Sequence, residues 1–117
     1  MSITRKESNN RMSQIVVHGN TVYLAGQVAQ GAKSGSITAQ TEDILAAIEK
    51  LLEQAGSDKT KILSTTIWLT SMDDFAEMNA VWDAWVDTNH PPARACVESP
   101  RLATPDFQVE VMVIAAV

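Results

Sequence analysis

Apolar residues recur along this chain with two periods, and each change of period marks an element boundary. Ile15, Val16 and Val17, then Val22, Tyr23 and Leu24, form two apolar runs separated by His18-Gly19-Asn20-Thr21. Gly and Asn tolerate positive φ, so residues 13–28 read as a β-hairpin. Residues 30–36 are rich in Gly, Ser and Lys and read as an exposed loop. The period then becomes helical. Ile44, Ile48, Leu51, Leu52 and Ala55 share one stripe, Glu42 and Asp43 suit the positive end, and Gly56 is placed to stop the helix. Thr38 or Thr41 is the expected cap. Residues 62–70 alternate and are rich in Ile, Thr and Trp, as a strand requires. Ser71 and Asp74 resemble a capping box opening a second helix, whose stripe is Phe75, Met78, Trp82, Trp85 and Val86. His90-Pro91-Pro92 ends it, because proline disfavours helical geometry in the residue before it. Two strands close the chain, over residues 93–98 and 107–115. The order is β-β-α-β-α-β-β, an α+β sandwich with two helices on one face of a sheet.

The last strand predicts more than its own existence. Phe107, Val109, Val111 and Val113 point one way, and Gln108, Glu110, Met112 and Ile114 the other. The first set fits beneath the helices. The second includes Met112 and Ile114, too apolar to leave open, and two helices cannot cover both faces. A second protein surface is expected there, so the chain should form an oligomer.

Composition narrows the class. At 117 residues with 45% hydrophobic residues, the chain reads as one ordered domain over residues 1–117. No apolar run reaches membrane-spanning length, and residues 1–12 are too polar for a signal peptide. Cys96 is the only cysteine, and with His18 and His90 it makes neither a disulfide nor a zinc-ligand set; a reducing, cytoplasmic setting is the expectation. The net charge of −5, with no basic stripe beyond Lys59 and Lys61, argues against a nucleic-acid partner.

The common catalytic motifs are missing: there is no GxSxG, P-loop, HExxH or GxGxxG. His90, at a helix end beside proline, and His18, in a turn, both read as structural or solvated. Cys96 is a nucleophile or, the favoured reading, a small buried hydrophobe, since no histidine neighbours it in sequence. Arg94 stands out between two alanines after Pro-Pro. Its guanidinium either forms a bidentate pair with a ligand carboxylate or a structural salt bridge, to Glu98 or Glu110. Alternation puts Arg94, Cys96 and Glu98 on one face. Glu110 is an ion-pair partner or a water-positioning base.

Three stretches resemble the RidA/YjgF family of reactive intermediate deaminases. The most specific is Pro92-Ala93-Arg94-Ala95-Cys96-Val97-Glu98, followed by Arg101-Leu102 and by Val109-Glu110-Val111 running to Ile114-Ala115. The second is Leu69-Thr70-Ser71-Met72-Asp73-Asp74-Phe75-Ala76-Glu77-Met78-Asn79, like the family's strand-to-helix junction. The third is Val22-Tyr23-Leu24-Ala25-Gly26-Gln27-Val28, like its strand ending in Gly-Gln. The resemblance implies a chorismate-mutase-like homotrimer with helices outside, sheets inside and clefts between subunits. It implies that Arg94 grips a substrate carboxylate, that the backbone at Cys96 holds the same ligand, and that Glu110 positions a water. The implied reaction is hydrolysis of 2-imino acids or enamines to 2-keto acids and ammonia, with no metal or organic cofactor. That no nucleic-acid or membrane partner is expected comes from the charge and the hydropathy pattern, not from the resemblance. The pocket would also draw on Met12, Ala25 and Gly26. Met12 stands where the archetype carries tyrosine, and Ala25 where it carries serine, so two hydroxyls are absent and the pocket should favour more apolar side chains. Arg11 is either a compensating donor or a solvated surface arginine. Two other readings remain: a non-catalytic binder of 2-keto acids or related carboxylates on the same fold, and a ribonuclease, against which the acidic balance weighs.

Overall fold

The computed structural model describes residues 2–117. Its elements run β1 (Ile3–Ser8), β2 (Ser13–His18), β3 (Thr21–Leu24), β4 (Gln27–Val28), α1 (Ile37–Gln54), β5 (Ile62–Leu69), α2 (Phe75–Trp85), β6 (Ala93–Glu98) and β7 (Val109–Ala116). The strands form one sheet in the order β1-β2-β3-β7-β5-β6, with β4 also pairing β7. β6 runs parallel to β5 and every other pairing is antiparallel, which makes the sheet mixed. The α+β class and the two helices on one face agree with the sequence pattern.

The period-2 and period-3.6 stripes meet to make the core. Ile44, Leu45, Ile48 and Leu52 of α1 are buried, as are Met78 and Trp82 of α2. They pack on Ile15, Val22, Ile67, Val111 and Val113 of the sheet. Each such side chain removed from water stabilises the fold by about 1.5–3 kcal/mol. Along β7 burial alternates strictly, with Val109, Val111, Val113 and Ala115 buried and the residues between them only half-buried. The other face therefore carries Glu110, Met112 and Ile114, opposite Trp68, Thr66 and Ser64 of β5. Tyr23 lies across from Ile114 and is 45% exposed.

Several boundaries differ from the sequence pattern. β1 was not expected. All its residues are exposed and Ile3 is its one large apolar side chain, so the strand follows from its pairing with β2 rather than from periodicity. α1 begins at Ile37, one residue before Thr38. Ser36 is the cap, its hydroxyl accepting from the Ala39 N–H at 3.0 Å. Thr38 is instead tied to the other helix, its N–H and hydroxyl both donating to Glu77 Oε2, and Thr41 is buried inside α1. Gly56 follows α1 at φ +80°, the left-handed stop its residue type permits.

The capping box at Ser71 and Asp74 does not close. Ser71 Oγ caps a short 3₁₀ turn, Met72–Asp74, by accepting from Asp73 N–H, and Asp74 makes no side-chain cap bond to α2. The Asp74 N–H that the Ser71 hydroxyl would take in a capping box donates instead to the Ser71 carbonyl at 3.2 Å, closing the 3₁₀ turn, and the parallel β5–β6 pairing sets Glu98 beside Leu69. From there Glu98 Oε1 reaches the Met72 N–H at 3.0 Å and satisfies a free donor of the turn.

Gln40 fixes the approach to β7. It is wholly buried in α1. Its Nε2 donates to the Gly35 and Asp106 carbonyls at 3.1 and 3.2 Å, and its Oε1 accepts from Gln108 N–H at 2.9 Å. One side-chain amide thus holds the start of α1 against the residues that lead into Val109 and Glu110.

Candidate carboxylate-binding site

Two separate groups of side chains emerge, one on each side of the sheet. On the helix side, Arg94 projects from β6 toward α2. Its Nη1 donates to Asn79 Oδ1 at 2.8 Å. Its guanidinium carbon lies 5.4 Å from the centre of the Trp82 ring and 5.9 Å from that of Phe75. A cation over an aromatic face is worth about 0.5–1 kcal/mol at an exposed site. Neither Glu98 nor Glu110 pairs with it, so both salt-bridge readings fail. Glu98 is engaged with Met72, and the ion pairs among the described residues are Lys59–Glu49 and His90–Asp87. Arg94 therefore stands exposed with its charge uncompensated.

Cys96 follows on the same face and is half-buried. Burial pushes its thiol above the ordinary value, against a smaller opposing pull from Arg94. A thiol held protonated is a poor nucleophile, which favours the reading of Cys96 as a small apolar side chain.

On the opposite face Glu110 is half-buried, and burial pushes its carboxyl above the usual carboxylate range. Gly26 lies directly against it. A Cβ on Gly26 would overlap Glu110 Oε2 and come within 3.1 Å of its Cδ. This contact exists because β4 pairs with β7 next door, Gln27 with Val111 and Val28 with Glu110. Gln27 holds the segment, its Nε2 donating to Gln14 Oε1 at 2.7 Å and to the Ala25 carbonyl at 3.0 Å. The Ala25 N–H donates to the Gln14 carbonyl in turn. Met12 and Arg11 sit in the turn between β1 and β2, where both N–H groups donate to Asn9 Oδ1, and both side chains are exposed.

The structure thus groups Arg94 with Cys96, and Glu110 with Gly26, but puts the two groups on opposite faces. Within the chain Arg94 and Glu110 do not come together. A groove of about 570 Å³ beside Thr70, Leu102 and Phe107 is lined by none of them. Asn79, Phe75 and Trp82 were not singled out from sequence as neighbours of Arg94. Their spacing, i, i+4 and i+7 on one helix face, is the signal that would have found them. His90 is an exposed partner of Asp87, at 2.8 Å. Among the described residues, no group of His, Cys, Asp and Glu is arranged to hold a metal, and no helix is long and apolar enough to cross a membrane.

Known proteins resemble this chain along its whole length. A family model described as endoribonuclease L-PSP matches residues 3–117. A RutC family protein of Haemophilus influenzae is 42% identical over 115 residues, covering 98% of each chain. The RutC family protein YoaB of Escherichia coli K12 is 41% identical over 117 residues, covering all of both. The crystal structure of a YjgF family member from Neisseria meningitidis superposes with a TM-score of 0.94 at 41% identity, covering 99% of this chain and 95% of that one.

Proposed function

The chain belongs to the YjgF/RidA family, described by its model as endoribonuclease L-PSP, and on that premise we propose that it hydrolyses 2-imino acids and their enamine tautomers to 2-keto acids and ammonia. The observation that carries this reading is Arg94, an oriented guanidinium with no carboxylate partner among the described residues. Such a fork suits the carboxylate of an amino-acid-derived substrate, which it binds through two parallel hydrogen bonds.

The chemistry asks for positioning more than for activation. An imine carbon beside a carboxylate is already electrophilic. With the carboxylate anchored, a water held by Glu110 attacks that carbon, and one proton of the water passes to the imine nitrogen by way of the carboxylate. The tetrahedral adduct then breaks its C–N bond, its hydroxyl proton leaves with the nitrogen as ammonia, and the 2-keto acid remains. Glu110 acts as a base when ionised, so its raised pKa brings it nearer neutrality than an ordinary carboxylate.

A site containing both Arg94 and Glu110 takes them from two protomers, because within one chain they point to opposite faces. The half-buried Trp68, Met112 and Ile114, with the exposed Tyr23, give the second copy an apolar surface to cover, and a homotrimer with clefts between subunits is the arrangement proposed. Ala25 and Met12 supply no hydroxyl to such a cleft. That feature favours, as a second reading, a non-catalytic binder of 2-keto acids. Imine consumption separates the two. An amino-acid oxidase generates imines from several amino acids, semicarbazide traps them, and the wild type is compared with Arg94→Ala. Faster loss of trappable imine with the wild type alone supports the deaminase. Saturable pyruvate binding without any turnover supports the binder.

A further inference from the structure

Arg94 is held by three side chains of α2 that leave its charge intact. Phe75, Asn79 and Trp82 fall on one helix face, and each meets the guanidinium: two rings and one amide oxygen. The support is stiff. Trp82 is only 6% exposed, and its ring packs on Trp85 with centroids 5.4 Å apart. Trp85 in turn carries the Lys59 ammonium over its ring, and the same Lys59 Nζ donates to the Trp85 carbonyl at 2.7 Å.

The chemistry of these partners is selective. A guanidinium has five N–H donors in a fixed fork, and Asn79 occupies one of them. An amide oxygen orients the fork without cancelling its charge. A carboxylate at the same place would form an ion pair and compete with any anionic ligand. Aromatic faces fix the plane of the fork without consuming a donor.

We propose that Asn79 is a positioning residue, which orients the Arg94 guanidinium toward a ligand carboxylate while leaving its charge for that ligand. This rests on the reading of Arg94 as the carboxylate anchor. The test uses pyruvate binding by titration calorimetry, together with steady-state imine hydrolysis, on wild type, Arg94→Ala, Asn79→Ala and Asn79→Asp. Asn79→Asp should weaken pyruvate binding roughly three- to fivefold at pH 7, because the ligand must displace an exposed ion pair. The deficit should shrink as pH falls through the range where the introduced carboxyl is protonated, a recovery that a merely structural role for position 79 would not produce. Asn79→Ala should raise KM more than it lowers kcat, with no such pH recovery. Pyruvate binding by Asn79→Asp within twofold of wild type, in a series where Arg94→Ala abolishes it, overturns the role of Asn79 and leaves the anchor standing. Unchanged binding by Arg94→Ala overturns the anchor and this inference together.

Discussion

Gly26→Ala separates the placement of Glu110 from the stability of the fold. Gly26 has no positive φ, so alanine fits its backbone. At such a position the change alone would stabilise the chain by about 0.4–1 kcal/mol, through the unfolded state. What opposes it is the carboxyl of Glu110, whose Oε2 would be overlapped and whose Cδ and Cγ would lie only 3.1 and 3.4 Å from the new methyl. The obstacle is the free end of a flexible side chain, so it can swing aside. Relieving the overlap takes a shift on the order of 1 Å, to restore ordinary carbon–oxygen contact. The stability change should therefore be small, within about 1 kcal/mol of zero, because strain and unfolded-state entropy nearly cancel. The activity change should be large. If Glu110 positions the attacking water as proposed, a misplacement of about 1 Å there costs roughly a hundredfold in rate. The assay is imine hydrolysis beside urea denaturation, in wild-type and Glu110→Ala backgrounds. In the second background the methyl meets no carboxylate, so Gly26→Ala should stabilise the chain and leave residual activity unchanged. Wild-type kcat/KM in Gly26→Ala, where Glu110→Ala is inactive, refutes the argument that Gly26 is there to seat Glu110.

Three further outcomes follow from the same geometry. Glu110 has a folded-state pKa above its ordinary value because burial disfavours its charged form, so its penalty is absent at low pH and fully present once pH exceeds the raised pKa. Glu110→Gln should then be more stable than wild type at pH 7, with the difference vanishing below about pH 4, and thermal melts across pH check this; a constant difference contradicts it. Thr65 Oγ1 is buried without a hydrogen-bond partner, so Thr65→Val should stabilise by about 1 kcal/mol in urea, and a loss of stability would mean the hydroxyl is satisfied. Gln40→Leu strips three hydrogen bonds from the residues around it and should cost about 2–3 kcal/mol; a loss under about 0.5 kcal/mol would show that water replaces them.

The parts of the fold governed by burial were legible in the sequence. The α1 stripe, the β2–β3 hairpin and the two faces of β7 all follow from apolar spacing, because each element buries one side. The parts governed by pairing were not. β1 carries one large apolar residue, and its strand geometry comes from hydrogen bonds to β2 that no local pattern announces. The start of α2 misled for a related reason, since the acceptor that reaches the turn is Glu98, 26 residues away. β6 shows the same lack. Its exposed sequence has no alternation to tell which face it presents, so Arg94 and Glu110 could be picked out by chemistry but not assigned to opposite faces. Their separation follows only once α2 is seen to meet Arg94 and β4 to meet Glu110.

The most direct test of a site shared between protomers is complementation by subunit mixing. Arg94→Ala and Glu110→Ala, each expected to be inactive alone, are unfolded together at equal concentration and refolded so that subunits assort at random. If each cleft takes Arg94 from one protomer and Glu110 from another, about a quarter of the clefts receive both intact residues by random assortment, and imine hydrolysis should return to about that fraction of the wild-type rate. Mixed oligomers that form, as native mass spectrometry would show, yet stay as inactive as either parent would contradict the account.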